Sequence, residues 1–408
     1  MNQRTNPLLV ALDVGSAQTR VVAAELIENV LRYRGHGVVD SAGMRKGLIS
    51  ELQPAIKAVR AAVESAERSG RNLKLTEVAV GVGGPHTRGL NTSGGFDLGS
   101  RMREITRDDV RSAVDRARAV ERPPDREILH LLHRQFILDE QPGIFDPVGM
   151  VGARLEVDLH IATCSGSALQ NLVTCANKGG MKVSEAVLES LAAAECTVSA
   201  DERELGVCLL NIGAHSSDLA VFYDGAVVHS ASVAVGGMHF TNDLAVGLNS
   251  MGFNLSIANA EELKRIYGNA VVTAIPQHAE IEIVAPEPRV LRLRTLAEIL
   301  EPRARELMHF VRQSLHDGGV ADALGAGCVM TGGGALLPGM IDVAESYLRC
   351  PVRIGSPTRI SPMPAELAHP SWAVAIGTLL YVQRTRATRA AERQSIRSRL
   401  KTMFTSSF

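Results

Sequence analysis

One pattern occurs twice in this chain. Leu8-Leu9-Val10-Ala11-Leu12 runs into Asp13-Val14-Gly15-Ser16-Ala17-Gln18-Thr19-Arg20 and leaves through Val21-Val22-Ala23-Ala24, which reads as strand, tight polar turn, strand. About 200 residues later the pattern returns, a separation that marks a duplicated unit rather than a short repeat. Val207-Cys208-Leu209-Leu210 enters Asn211-Ile212-Gly213-Ala214-His215-Ser216-Ser217-Asp218 and leaves through Leu219-Ala220-Val221-Phe222, with Asn211 falling on Asp13 and Gly213 on Gly15. One supersecondary unit per half predicts an α/β chain of two similar lobes, and 408 residues give each lobe enough length to bury a core.

The two turns suit one task, cradling a polyphosphate. Gly15 and Gly213 let backbone N–H groups approach phosphate oxygens, and the hydroxyls of Ser16, Ser216 and Ser217 add donors. Asp13, with Asn211 at the matching position, can hold Mg²⁺ through water. A third cluster, Thr331-Gly332-Gly333-Gly334-Ala335, follows an apolar strand and is expected to open a helix with Pro338 in its first turn. Gly236-Gly237, after a strand expected at Ser232 to Val235, is a fourth point of the same kind. Any one glycine turn is only a turn; two matched turns and a strand–GGG–helix in this order point together to a nucleotide.

Helical spacing fills the intervals. Ser50 precedes Leu52, Ile56, Val59 and Val63, with Gly70 closing the run; Thr106 and Asp109 form a capping box ahead of Val110 and Val114. Ser167 is expected to open a helix ending at Gly179, and Thr295 with Glu298 a long one bent near Pro302. Leu155, Val157, Leu159 and Ile161 alternate as a half-buried strand, with Ile128 to Leu138 as its partner across Gln141 to Pro147. The segment from His86 to Thr163 therefore reads as a small inserted α+β unit. Ala270 to Leu293 carries no clear pattern.

Composition narrows the function. With 45% apolar and 21% charged residues the chain is an ordinary globular one, and its six cysteines show no C-x-x-C spacing, so reduced thiols and a cytoplasmic setting are expected. No apolar run reaches the length of a membrane span; the stretch Ala323 to Ile341 is interrupted by six glycines and Pro338. The formal net charge of −1 hides an asymmetry, since Arg384 to Phe408 holds seven Lys or Arg against Glu392 alone. Within that tail Ile396, Leu400, Met403, Phe404 and Phe408 recur at helical spacing beside Arg397, Arg399 and Lys401, after a linker expected from residue 384. Such a helix lies in a bilayer interface, its apolar stripe in the acyl boundary and its cations on anionic headgroups. The same pattern describes a helix packed on its own protein or on a partner. Nucleic acid is not expected, because no aromatic interleaves the arginines to stack on bases.

The order of these motifs resembles the actin-like ATPase superfamily, and within it the FtsA family of bacterial cell-division proteins. The resemblance runs over nearly the whole chain and is carried by Glu202-Arg203-Glu204-Leu205-Gly206-Val207-Cys208, Gly143-Ile144-Phe145-Asp146-Pro147-Val148-Gly149, Gly152-Ala153-Arg154-Leu155, Thr241-Asn242-Asp243-Leu244-Ala245 and Thr295-Leu296-Ala297-Glu298-Ile299-Leu300-Glu301-Pro302-Arg303. It implies duplicated RNase H-like halves closing over ATP and Mg²⁺, with Asp13 to Gln18 as phosphate-1, Asn211 to Asp218 as phosphate-2 and Thr331 to Ala335 as the adenosine motif. It implies subdomain 1A at 1–85 and 164–205, an inserted 1C at 86–163, 2A at 206–242 and 317–365, 2B at 243–316, a return to 1A at 366–383, and a basic linker and membrane-targeting helix at 384–408.

Functionally, the resemblance implies a protein that polymerises head to tail, grips the inner leaflet of the cytoplasmic membrane at the division septum, and binds the C-terminal peptide of the tubulin-like FtsZ and other divisome proteins. It places the peptide near Arg303, whose fork suits a carboxylate; an ordinary surface arginine reads the same way. Glu261 and Lys264, on a helix expected to be capped by Asn259, match an E-x-x-K that contacts ribose and adenine, or form a plain i,i+3 ion pair. Glu189 either orients a catalytic water or is a solvated helix residue.

The chain departs from the superfamily's D-x-G-G-G-T-x-D at Asn211, Ala214, His215 and Ser216, and Gln18 stands where some relatives have Lys. An amide at Asn211 lowers both metal affinity and activation of an attacking water, so turnover is expected to be slow or absent. The alternatives are a PilM-like pilus-assembly adaptor and a soluble kinase or phosphohydrolase, which would need a carboxylate base aimed at the γ-phosphate.

Overall fold

The computed structural model describes residues 6–99, 101–119, 123–284, 288–358, 360 and 362–388. Both predicted hairpins form. Leu8–Val14 pairs antiparallel with Gln18–Ile27, and Val207–Ile212 with Ser217–Tyr223. Each nucleates a five-stranded sheet of the same order: an outer antiparallel strand (Val30–Asp40 or Ala226–Val233), the two hairpin strands, then two parallel strands (Glu77–Val82 and Lys182–Leu188, or Cys328–Thr331 and Val352–Ile354). The duplication seen in the sequence is thus a duplication of sheet topology. The hairpin strands are apolar on both faces because helices cover both, so Ala11, Val21, Val22, Leu209, Leu210 and Leu219 are buried.

Between the sheets lies a helical layer apolar on all sides. In Glu189–Thr197 every residue after Glu189 is buried, and it crosses the helix 373–388 where Gly377 meets Ala192. A Cβ at Gly377 would collide with the Ala192 carbonyl, so glycine here sets how closely the two backbones approach. This helix pair shares one core with Leu9 and Val22 of the first sheet and Leu209 and Val329 of the second.

The insert is a four-stranded antiparallel sheet, ordered Gln141–Ile144, Arg126–Leu138, Arg154–Ser165, Arg88–Asp97, with the helix Arg107–Arg118 against it. Leu155, Val157, Leu159 and Ile161 are fully buried, as the alternation required, and Thr106 with Asp109 makes the expected capping box. The opposite face carries His160, which bonds Asn91 Oδ1 (2.7 Å) and Ser230 Oγ (2.7 Å) of the second lobe; burial pushes its pKa down to about 3. His130 accepts the Leu188 N–H at Nε2 (2.9 Å) and meets the Tyr381 hydroxyl at Nδ1 (3.0 Å), tying the insert to the residue before Glu189.

Several element ends differ from the sequence reading. The helix ending at Gly179 starts at Gly166, capped by Ser165 rather than Ser167. The long helix is Leu293–Asp317, so Thr295 and Glu298 lie inside its first turns. The helix bearing Glu261 and Lys264 is capped by Ser256, which accepts from Asn259 N; Asn259 is inside it. The strand before Gly236 ends at Val233. The glycine cluster opens a short 3-10 turn, Gly333–Leu336, and Pro338 precedes the next α-helix, Met340–Leu348. Residues 270–293 contain the hairpin Glu280–Val284 with Pro288–Arg292. In place of a linker from residue 384, helix continues through Thr388, held by Arg384 on the buried carboxylate of Glu195 (3.0 Å). Ile396, Arg397, Leu400, Lys401, Met403, Phe404 and Phe408 lie outside the described residues. Among the described residues no helix is long and apolar enough to cross a membrane.

Candidate functional site

The two hairpin turns and the Gly332–Gly334 turn converge on one cleft between the lobes, a cavity of about 600 Å³. One wall comes from the first lobe: Asp13, Gly15, Ser16 and Gln18 at the hairpin, and Glu189 at the start of its helix. The facing wall comes from the second: Asn211, Gly213 and Ser216, then Gly237, Glu261 and Lys264, and finally Gly332, Gly333 and Gly334. Gly332 is held at φ +83° and ψ 168°, a region open to glycine alone, and a Cβ there would also sit 2.6 Å from Asn211 Oδ1. Gly333 has open space, so a ligand can lie against its backbone.

Two residues expected in the site are not on its wall. Ser217 is fully buried and its hydroxyl donates to Val235 O (2.8 Å), because it sits one residue beyond Ser216 on an alternating strand and so faces away. Gly236 caps the helix Gly237–Ser250 from outside the cleft wall. The N–H groups at that helix start are already used: Gly236 donates to His239 Nδ1, Gly237 to Gly213 O (2.9 Å) and Met238 to Ala214 O (2.7 Å). They lock the helix onto the second turn and are not free for a phosphate.

Three carboxyl groups crowd together in the cleft, Asp13 and Glu189 from the first lobe and Asp218 from the second. Burial pushes Asp13 up to about 6, against the pull of the Arg20 guanidinium. Burial also raises Asp218, while the Gly84 N–H (2.8 Å) and the Ser216 hydroxyl (3.4 Å) hold its oxygens. Glu189 is pushed well above the carboxylate range by burial and then by Asp13 and Asp218. Glu189 is therefore no solvated helix residue; Gly83 makes room for it, since a Cβ there would lie 2.5 Å from its carboxyl. Among the described residues no three His, Cys, Asp or Glu form a ready cation cage. One or two carboxylates completed by phosphate oxygens and water is the way Mg²⁺ is held, and a dication would relieve this crowding. The residues fit that ion through Asp13, with Asn211 contributing only a neutral oxygen.

At the other end Lys264 Nζ reaches Gly237 O (2.8 Å), Thr241 Oγ1 (2.8 Å) and Glu261 Oε2 (2.6 Å), and Glu261 also takes the Thr241 hydroxyl. Ion pair and cleft wall are thus the same object. Arg303 stands apart: its fork is bidentate on Asp243 (2.6 and 3.0 Å) and also holds Glu306, so it is not the open cation a carboxylate ligand needs.

Arg20 was not singled out from the sequence, and His215 and Asp218 were named only as parts of the second turn's motif. All three line the cleft. The signal was present in the antiparallel pairing, which sets Arg20 opposite Asp13 and Asp218 opposite Asn211. Burial and the neighbouring His239 lower the His215 pKa, and its Nδ1 is buried with no hydrogen-bond partner.

Residues 84–163 match the family model described as the SHS2 domain inserted in FtsA, and residues 208–377 match the model for cell division protein FtsA. Curated relatives named cell division protein FtsA include those of Pseudomonas aeruginosa, 32% identical over 93% of this chain and 90% of theirs, and Borreliella burgdorferi, 33% identical over 92% and 90%. The Escherichia coli protein is 30% identical over 94% of this chain and 92% of its own. Among solved structures, a PilM-PilN type IV pilus biogenesis complex aligns at TM-score 0.64 and 16% identity, covering 91% of this chain and 98% of that one. MreB 5 of Spiroplasma citri bound to AMPPNP aligns at 0.55 and 15%, covering 95% and 98%. At such identities the structures establish the two-lobed actin-like fold alone. The near-full-length sequence relatives go further: the chain belongs to the FtsA family of bacterial cell-division proteins.

Proposed function

We propose that this cell-division protein binds ATP with Mg²⁺ in the interlobe cleft, turns it over slowly or not at all, assembles head to tail, and tethers FtsZ to the cytoplasmic face of the membrane at the septum. The observation that carries the reading is the convergence of two matched hairpin turns and the Gly332–Gly334 turn on one cavity large enough for a nucleotide. Asp13 would hold the metal, whose chemistry when bound is to neutralise phosphate charge and polarise water. Glu261 and Lys264 would face the ribose, and the open backbone at Gly333 the base.

Weak turnover follows from what surrounds the cleft. Asn211 brings no charge where a metal-bound water would be oriented, and burial beside Asp13 and Asp218 makes the ionised, proton-accepting form of Glu189 costly. The membrane grip is assigned to the basic amphipathic tail, and the divisome contacts to the insert and the second lobe. Arg303 serves the FtsZ-facing region by fixing the helix Gly237–Ser250 to Leu293–Asp317 through Asp243. A PilM-like role rests only on shared fold at 16% identity, and a small-molecule kinase would require a base that Asn211 does not provide.

The test is co-sedimentation with anionic liposomes in ATP, comparing the full chain with one ending at Gln394. Pelleting of the full chain alone, with FtsZ C-terminal peptide recruited to the pellet, is the expected result. A full chain that stays in the supernatant removes the tethering role.

A further inference from the structure

Arg20 is the first lobe's contribution of positive charge to the cleft, and its partners are incomplete. It lies two residues beyond Gln18 on the strand Gln18–Ile27, hence on the same face. Its Nη2 donates to Gln18 Oε1 (2.6 Å), and its guanidinium stands over the Trp372 ring at 5.6 Å. Its Nη1 is 3.8 Å from Asp13 Oδ2, too long for a hydrogen bond, and its Nε is buried without a partner. The side chain is only 13% exposed.

Among the described residues the other cations on the cleft wall are Lys264 and Arg265, both on the second lobe's helix Ile257–Tyr267. Lys264 has three protons and three acceptors within 2.8 Å, so its donors are used within the protein. Gln18, for its part, is oriented as a brace: its Nε2 donates to Asp40 Oδ1 (3.4 Å) while its Oε1 holds Arg20. A guanidinium fixed by a brace and an aromatic ring, standing on the cleft wall with Nη1 in no hydrogen bond, can present that Nη1 to a tetrahedral oxyanion.

We propose that Arg20 takes the outer phosphoryl oxygens of a nucleoside di- or triphosphate, and that Gln18 positions it. This rests on the nucleotide reading above and adds a preference: the cleft should discriminate polyphosphates from a monophosphate through one arginine of the first hairpin. The pairing pattern supports it. The matching position of the second hairpin carries Asp218, which already accepts from Gly84 N, so only the first hairpin presents a cation.

The experiment is calorimetric titration of the full chain with ATP, ADP and AMP, each with and without Mg²⁺. The variants are Arg20→Gln, Arg20→Lys and the double variant Gln18→Lys/Arg20→Gln, and a melting curve of each nucleotide-free protein controls for folding. Arg20→Gln is expected to weaken ATP and ADP about ten- to a hundredfold and AMP less than about threefold, as loss of one charge-assisted hydrogen bond requires. Arg20→Lys should keep most of the ATP affinity, and Gln18→Lys should restore much of it in the double variant. Equal losses for ATP and AMP, or an unchanged ATP affinity, overturn the proposal while leaving nucleotide binding intact. A wild-type chain that binds none of the three removes the nucleotide reading and Arg20's role together.

Discussion

The two hairpins are the same backbone used for different electrostatics. Each has an entering strand that is buried from its second residue on, a four-residue turn and the same place in its sheet, and each turn glycine packs as closely on a backbone oxygen of its own turn. A Cβ at Gly15 would lie 2.9 Å from Gln18 O, and one at Gly213 would lie 3.0 Å from Ser216 O. Yet the first pairs Asp13 with Arg20 across the strands, and the second pairs Asn211 with Asp218. The first hairpin's acid faces a guanidinium within the same lobe; the second's is satisfied by Gly84 N of the opposite lobe. What the fold needs from the unit is apolar strands and glycine in the turn. The charged positions are free to diverge, and their divergence separates a hairpin that brings a guanidinium to the cleft from one whose acid is held by the opposite lobe.

That comparison can be attacked in order of expected effect. Gly332→Ala would force a side chain into a glycine-only conformation against Ile212 O (2.5 Å), and should cost about 3 kcal/mol or more of stability. The same change at Gly333, where nothing lies within 4 Å, should leave thermal unfolding nearly unaltered. Similar melting temperatures for the two variants would show that the close approach of the third turn to the second hairpin is not a constraint.

Asn211→Asp makes the second hairpin resemble the first. Steady-state phosphate release in Mg²⁺ should rise about ten- to a hundredfold, about 1.4–2.7 kcal/mol off the barrier, because charge returns beside the attacking water. Unchanged release would mean that the amide is not what limits turnover.

Asp13→Asn makes the converse change. Asp13 titrates at about 6 in the folded chain against an ordinary 3.8, so the folded state binds the proton more tightly. That contribution is fully present below pH 3.8 and is lost as pH rises through about 6. Denaturant titrations should therefore show the wild-type advantage over Asp13→Asn shrinking by about 2 kcal/mol from pH 4 to pH 7. Parallel pH profiles would mean that Asp13 is not held in a desolvated site. The last test is of equivalence: Gly15→Ala and Gly213→Ala should each destabilise by about 1–2 kcal/mol, because a Cβ would press on a backbone oxygen at 2.9 or 3.0 Å, and by the same amount within error. A marked inequality would break the structural match of the two turns.

Much of the architecture was legible because it is local. Apolar runs flanking polar glycine turns report hairpins, and the alternation Leu155, Val157, Leu159, Ile161 reports one buried face, whatever the rest of the chain does. The Thr106–Asp109 box formed for the same reason. The site was less legible where parity or partnership decides. Ser216 and Ser217 differ by one position, and on a strand that sends one to the cleft and the other to Val235 O. The glycines at 236 and 237 looked like an anion site, but the N–H groups at that helix start are spent on Gly213, Ala214 and His239. Arg303 looked free in sequence because Asp243 is 60 residues away along the chain.

The sequence by itself determined that there are two homologous halves, where their turns fall, that a small unit is inserted in the first, and which family the chain belongs to. Periodicity, glycine placement and motif order are properties of short segments, and they survive without knowledge of packing. Only the tertiary structure decided which polar groups face one another across the cleft. It brought Glu189 from a helix start to within the field of Asp13 and Asp218, and it left the Arg20 Nε–H unspent. The physical reason is that burial and long-range pairing, not residue type, set the charge state and the free hydrogen-bonding capacity of a side chain.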